Sequence, residues 1–307
     1  MQKNQELTII TAFFDIGRKD FGEFSRSNEQ YLEYFKFWAR IKNNIVVYTD
    51  SVMAKKVEKV RKDFGLLEKT KVVIIDDYLT IEPELYNKIE KIANDKIFLL
   101  YRYTDNPADN NAKYDYVMLL KSWCLKDAVE KKYAKGQLAW LDFGFNHGGD
   151  VYTNPEEFSF LWQTNLPEDK ITLFSKKKDS GKPLFQIIQS YDTYIMGAPY
   201  IVPSKLAKQF WLDSKEAMQK LIDFGFIDDD QTLLLMISRT YRERYQVIKS
   251  DWFMPLKEFG GEHLTIKEKK EPKQSIKNKI INKLRIIKRN YNCSKRLKKI
   301  FYKNTLE

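Results

Sequence analysis

Two cysteines and two histidines in 307 residues are too few for a disulfide framework or a Cys/His zinc cluster. Cys124 and Cys293 lie far apart in the chain, so both read as plain thiols in a reducing compartment. Long apolar runs are missing too. The longest, such as Leu233 to Ile237, fall far short of the roughly 20 residues that span a bilayer. Leu7 to Phe14 matches a signal peptide only in being short and apolar, because Asp15 and Arg18 follow at once without a small-residue cleavage site. The expectation is a cytoplasmic chain with no membrane helix. No internal repeat is visible. The chain is nevertheless 43% hydrophobic and 14% aromatic, which excludes a disordered polymer.

Charge is distributed unevenly. The net value is +11, yet residues 267–307 hold 15 Lys and Arg against 3 Asp and Glu, so the remaining 266 residues sum to −1. This divides the chain into a body, 1–266, and a basic tail, 267–307. A body coated for nucleic acid is disfavoured. In the tail, Ile276, Ile280, Leu284, Ile287 and Tyr291 fall within about 80° on a helical wheel. Lys277, Lys279, Lys283, Arg285, Lys288 and Arg289 occupy the rest of the arc. The pattern predicts a helix lying on an anionic membrane surface, ahead of a solvated tail or a nucleic-acid arm.

Within the body, Leu7–Phe14, Ile45–Asp50, Val72–Asp77 and Leu138–Gly144 read as buried strands, each leading into an acidic residue or a loop that carries one. Helices are expected on Tyr31, Phe35, Trp38 and Ile41 behind Ser27 and Asn28, and on Met53, Val57, Val60 and Phe64 up to Gly65. Others are expected from Tyr116 to Lys135-Gly136, on Phe210 to Phe224, and from Thr232 to Arg239 behind Asp228-Asp229-Asp230-Gln231. A polar hairpin is expected near Lys176–Lys182, and a strand at Thr193–Gly197. Alternating strands and helices imply an α/β fold with a mostly parallel sheet, in which ligands bind beyond the carboxyl ends of the strands.

Three places carry candidate chemistry. Asp142, at a strand end before Phe143-Gly144, suits a ribose hydroxyl or a divalent cation on a diphosphate, or else simply opens a turn. The loop Thr11-Ala12-Phe13-Phe14-Asp15-Ile16-Gly17-Arg18 offers a hydroxyl, an aromatic wall, a carboxylate and a guanidinium that together could cradle a nucleotide; otherwise Phe13 and Phe14 are core and Arg18 is solvated. Asp229, Asp230 and Gln231 orient an acceptor hydroxyl, supply a base, or only cap a helix. Asp50, at the end of the second strand, is a further candidate on the donor side.

The loop Thr11 to Arg18, the stretch from Asn106-Pro107 to Leu120-Lys121-Ser122, and Trp140-Leu141-Asp142-Phe143-Gly144 resemble the HtrL/YibB family of bacterial proteins. The resemblance spans about residues 6–260, and that family is associated with lipopolysaccharide core biosynthesis. The layout is similar to a GT-A (Rossmann-like) glycosyltransferase. The resemblance implies transfer from a nucleotide sugar, UDP-linked by expectation, to a lipid-linked saccharide at the cytoplasmic face of the inner membrane. It places the first carboxylate of a DxD motif at Asp142 and the acceptor-side motif at Asp230 and Gln231. Thr11, Phe13, Asp15, Arg18, Asp50 and Lys121 fall on the donor side. It implies Mn2+ or Mg2+ at Asp142, but Gly144 stands where the second carboxylate belongs. Asp150, His147 or His263 would have to compensate, or Arg18 and Lys121 neutralise the diphosphate instead. The competing class is a non-catalytic nucleotide-sugar or glycan-binding protein on the same scaffold.

Overall fold

The structure, a computed structural model, describes residues 5–102 and 110–267 together with Ile287, Tyr291 and Lys295. Strand β1 (Gln5–Phe13) is followed by α1 (Asn28–Trp38), β2 (Ile45–Thr49), α2 (Ser51–Asp63) and β3 (Thr70–Ile74). Three helices come next, α3 (Pro83–Ala93), α4 (Lys96–Tyr101) and α5 (Ala112–Glu130), and lead to β4 (Gln137–Trp140). The second half runs through β5 (Gln163–Thr164), β6 (Ile171–Ser175), α6 (Leu184–Ser190), β7 (Tyr200–Pro203), α7 (Ala207–Asp223), α8 (Asp230–Thr240), β8 (Tyr245–Lys249) and α9 (Met254–Glu258).

The strands form one eight-stranded sheet in the order β3-β2-β1-β4-β7-β6-β8, with β5 paired to the start of β1. The four strands from β3 to β4 are mutually parallel, β7 runs antiparallel between β4 and β6, and β8 is parallel to β6. The mixed α/β class and the mostly parallel sheet are as the sequence predicts.

The apolar runs are continuous because both sheet faces are covered. Side chains alternate along a strand, so Ile10, Val46, Tyr48, Leu138 and Trp140 join one core, and Ile9, Val47, Ala139 and Leu141 the other. Helices α3, α5, α7 and α8 pack on the first face, α1 and α2 on the second. Each fully buried side chain of Leu or Phe size contributes about 1.5–3 kcal/mol. Helix starts follow the capping rule: Ser27 Oγ accepts from Gln30 N, Asp50 Oδ1 from Met53 N, and Asp229 Oδ1 from Gln231 N. Past the end of α2 the chain turns at Gly65, whose φ of +69° favours glycine.

The structure corrects two local expectations. Lys176–Pro183 is loop running into α6 rather than a hairpin. Thr193–Gly197 makes a single bridge, Ser175 to Ile195, while the strand that pairs with β4 lies just beyond it at Tyr200–Pro203. At the far end, Ile266 bridges Tyr152 and Lys267 N donates to Val151 O, which ties the end of the body into the fold. Of the predicted tail helix, Ile287, Tyr291 and Lys295 are helical and exposed, and the other positions lie outside the described residues. Among the described residues no helix is long and apolar enough to cross a membrane.

Candidate functional site

The chain leaves β1 outward through β2 and β3, then returns to place β4 on the other side of β1. A crevice opens beyond the strand ends where the order reverses in this way. A cavity of about 660 Å³ occupies it. Its walls are Ala12–Ile16 and Arg18 after β1, Trp140 and Asp142–Phe145 at β4, Tyr114 to Lys121 on α5, and Asp230 with Gln231 at the start of α8.

Packing sets the direction of Asp142. Its neighbour Phe143 stacks on Phe35 of α1 at 4.6 Å and lies 5.2 Å from Phe13, and Trp38 Nε1 donates to Phe143 O at 3.2 Å. With Phe143 pinned in the core, Asp142 turns to the cavity with a side chain 44% exposed. Trp140 Nε1 donates to Asp142 Oδ1 at 2.8 Å. Lys121 rises from α5 to the cavity floor, where its Nζ lies 2.9 Å from Asp142 Oδ1 and 2.6 Å from Asp230 Oδ2. The same ammonium donates to Gly197 O at 3.3 Å and sits 5.8 Å from the Trp140 ring centroid.

The electrostatics follow from that geometry. Burial alone would weaken the Lys121 ammonium, but Asp142 and Asp230 outweigh it and hold the group above the ordinary lysine value. One ammonium between two carboxylates leaves one negative charge in excess. The excess falls on the more buried acid: burial pushes Asp230 up to about 6, against the pull of Lys121 and with the help of Asp142. Asp230 is also held sterically, since a Cβ on Gly197 would lie 2.6 Å from its Oδ2. Gln231 is fixed by Thr193, whose hydroxyl donates to Oε1 at 2.7 Å.

Arg18 and Arg26 line the cavity too, together with the carboxylates of Asp15 and Asp150. Asp15 organises the loop after β1, accepting from Gly17 N through Oδ1 and from Asn28 Nδ2 through Oδ2. Gly17, at φ +77°, turns the chain into Arg18. The Arg18 guanidinium lies over the rings of Phe21 and Tyr114, and its buried Nε has no hydrogen-bond partner among the described residues. Arg26 N donates to Arg18 O, and the Arg26 guanidinium reaches 3.5 Å from His147 Nε2. His147, at φ +42°, pairs through Nδ1 with Asp150 at 3.1 Å; burial and Arg26 hold it below its ordinary value and so neutral at pH 7. The strain is carried by Asn146, whose amide makes three bonds to Val151 and Tyr152.

Not every sequence candidate reaches the cavity. Phe13, Asp15, Arg18, Lys121, Asp142, His147, Asp150, Asp230 and Gln231 line it. Thr11 is fully buried within β1, and Asp50 is the cap of α2. His263 packs on Phe160 and hydrogen-bonds Glu157 O, away from the cavity. Sequence reasoning missed Arg26, Tyr31, Tyr114, Gly197, Trp252 and Phe253. Tyr114 had a signal, because positions 114, 118 and 121 share one helical face with Lys121. Arg26 lies in a loop with no periodicity and had none.

The residues present do not form a cage that would hold Mn2+ or Mg2+ without a ligand's phosphates. Among the described residues no group of three or more His, Cys, Asp or Glu side chains is placed to hold a metal ion. The two floor carboxylates share Lys121 instead. A Cβ at Gly144 would lie 3.1 Å from the Tyr31 ring, so a carboxylate there would require that ring to shift by a few tenths of an ångström.

Comparison with known proteins gives the following. The model of a family described as "Bacterial protein of unknown function (HtrL_YibB)" matches residues 5–260. Protein HtrL of Escherichia coli (strain K12) is 29% identical over 244 residues, covering 75% of this chain and 82% of that protein. Among solved structures, apo mouse xyloside xylosyltransferase 1 superposes with a TM-score of 0.42 at 14% identity, over 80% of this chain and 85% of that one. A glycosyltransferase involved in glycosylation of the major capsid of PBCV-1 gives 0.40 at 13%, over 80% and 82%.

Proposed function

Since the chain belongs to the HtrL_YibB family of bacterial proteins, whose description leaves function open, we propose from the site itself that it is a glycosyltransferase. It takes a sugar from a nucleotide sugar, UDP-linked by preference, and delivers it to a lipid-linked saccharide such as a lipopolysaccharide core. The observation that carries this reading is the cavity at the β1/β4 switch point. Its volume lies within the roughly 300–1,000 Å³ of small-molecule sites, and an aromatic wall, two arginines and a pair of floor carboxylates meet there.

Phe13, Phe14 and Tyr31 offer flat apolar surface for the base and ribose. Arg18 and Arg26 meet the diphosphate. Asp142, oriented by Trp140 and Lys121, faces the sugar. The acceptor oxygen bonds to the anomeric carbon as the bond from that carbon to the diphosphate oxygen breaks, and the electron pair leaves on the nucleoside diphosphate. Asp230, its proton affinity raised by burial, takes the acceptor proton, and Gln231 helps orient the acceptor hydroxyl. The cationic tail supports an acceptor at an anionic membrane surface. A cytoplasmic protein peripheral to the inner membrane is part of the same proposal.

The test is release of free nucleoside diphosphate when a panel of nucleotide sugars is incubated with lipid-linked acceptors. Asp142→Ala should abolish release in a protein that still melts cooperatively. Equal release by the variant removes Asp142 from the chemistry. Donor binding without turnover for every acceptor favours the alternative that the glycine at position 144 suggests, a binding protein on a transferase scaffold.

A further inference from the structure

We infer that this cavity binds a nucleoside diphosphate without a divalent cation, because the two tasks such an ion performs are already filled by this chain's own side chains. The inference rests on the nucleotide-sugar reading. An ion in a site of this kind would offset the charge of a floor carboxylate and neutralise the diphosphate.

The first task belongs to Lys121. Its ammonium lies 2.9 Å from Asp142 Oδ1 and 2.6 Å from Asp230 Oδ2, so a positive charge already sits on the carboxylate to which the resemblance assigns a cation. It cannot swing away easily, since the residue is only 5% exposed, donates to Gly197 O and lies beside the Trp140 ring. A divalent ion on the same two oxygens would face this fixed positive charge at close range. Nor does the protein supply a further ligand from the motif, because residue 144 is glycine, with the Tyr31 ring 3.1 Å from where a Cβ would stand.

The second task belongs to Arg18 and Arg26. Neither appears in an ion pair among the described residues, although both line the cavity and are half-buried. A backbone bond from Arg26 N to Arg18 O joins their segments. Arg18 keeps a buried Nε without a partner among the described residues, a donor that a phosphate oxygen would satisfy. Two guanidinium charges match the two negative charges of the diphosphate diester in a nucleotide sugar, whereas Lys121 is already balanced by its carboxylates. The cavity thus separates its cations by role: the arginines receive the ligand, and the lysine holds the floor together.

The experiment has two arms. In the first, UDP is titrated calorimetrically into the full-length protein with EDTA and, separately, with Mn2+. The expected affinities agree within about twofold, and Arg18→Ala and Arg26→Ala each lower them about tenfold or more. Binding that appears only with Mn2+ overturns the inference, and absence of binding in both buffers counts against the nucleotide-sugar reading itself. The second arm needs no nucleotide: Mn2+ retention is followed by electron paramagnetic resonance. Wild type should retain none, Lys121→Ala should gain a site, and Lys121→Ala with Asp142→Asn should lose it again. Retention by wild type that Asp142→Asn removes refutes the role given to Lys121, and so does a folded Lys121→Ala that gains no site. If Lys121→Ala does not fold, the wild-type measurements in both arms still decide.

Discussion

Replacing Gly197 with alanine tests whether Asp230 is held where the structure places it. The added Cβ would lie 2.6 Å from Asp230 Oδ2, 2.7 Å from Oδ1 and 3.0 Å from Cγ. Gly197 is not in the left-handed region, so the backbone accepts alanine and the effect is one of space. Ordinary contact begins near 3.4 Å, so the carboxylate must retreat by roughly 0.7 Å. It is badly placed to do so. Asp230 is 5% exposed and opens α8 directly behind its cap, Asp229. Retreat stretches the 2.6 Å bridge to Lys121.

Overpacking of this kind costs about 1–3 kcal/mol, and weakening one buried bridge adds part of the roughly 3–5 kcal/mol that complete loss would cost. Alanine returns about 0.4–1 kcal/mol by restricting the unfolded chain. The net is about 2–3 kcal/mol, or a fall in Tm of about 4–12 °C for a domain of this size. A thermal melt reads it directly. The sharper measurement is a double-mutant cycle: with Asp230→Ala the colliding oxygens are gone, so Gly197→Ala should become neutral or slightly stabilising, a coupling of about 2–3 kcal/mol. Penalties that simply add, or a single variant that melts with wild type, would refute the placement of Asp230 against Gly197. Nucleoside diphosphate release should fall in Gly197→Ala, while UDP affinity, set at the arginines, stays near wild type.

Three further outcomes follow from the same geometry. Because burial raises Asp230 from its ordinary value near 4 to about 6, the native state holds a proton in that window that the unfolded chain has lost; the Asp230 contribution to stability should therefore fall as pH rises from about 4 to 6 while turnover rises, and the difference between urea melts of wild type and Asp230→Asn should show that slope. Arg61→Ala should cost about 3–5 kcal/mol in urea denaturation, because the buried guanidinium donates to the carbonyls of Ala39, Ile41 and Asn43 and to Thr70; a loss under 1 kcal/mol would mean water or neighbours satisfy those carbonyls. Truncation after Lys267 should leave a cooperative melt and abolish sedimentation with anionic vesicles, with binding by the intact chain weakening as salt screens it over about 8 Å; retention on neutral vesicles would sink the electrostatic account.

Much of the fold was legible because its central half is built from local signals. Four apolar runs, each next to a polar loop, became β1 to β4, and Ser27, Asp50 and Asp229 capped the helices they preceded. The other half was less legible. β8 alternates buried and exposed positions over only five residues at the sheet edge and does not rise above the surrounding sequence, whereas β6 is fully buried and as long as β2 and β3 and went unread. Tyr194-Ile195-Met196 has the composition of a strand but not the place of one. The edge of β4 is taken by Tyr200–Pro203, in register from Gln137 opposite Pro203 to Trp140 opposite Tyr200. Composition gives propensity, whereas which segment wins an edge is settled by the whole sheet.

The site divides along the same line. Asp142, Arg18 and Asp230 were legible because strand ends and helix starts mark where ligands bind. Their relations were not, because Lys121, Asp142 and Asp230 come from three separate elements. Read singly, each was assigned to a ligand: Asp142 to a metal, Lys121 to a diphosphate, Asp230 to an acceptor. In the fold Lys121 and the two carboxylates bind one another, which withdraws the lysine charge from the phosphate and the shared oxygens from the metal. The charge left over for a ligand is then that of Arg18, which the sequence marked, and Arg26, which only its neighbour His147 and the cavity wall reveal. Among the described residues Arg18 and Arg26 have no carboxylate partner while Lys121 has two, which leaves the arginines to receive an anion.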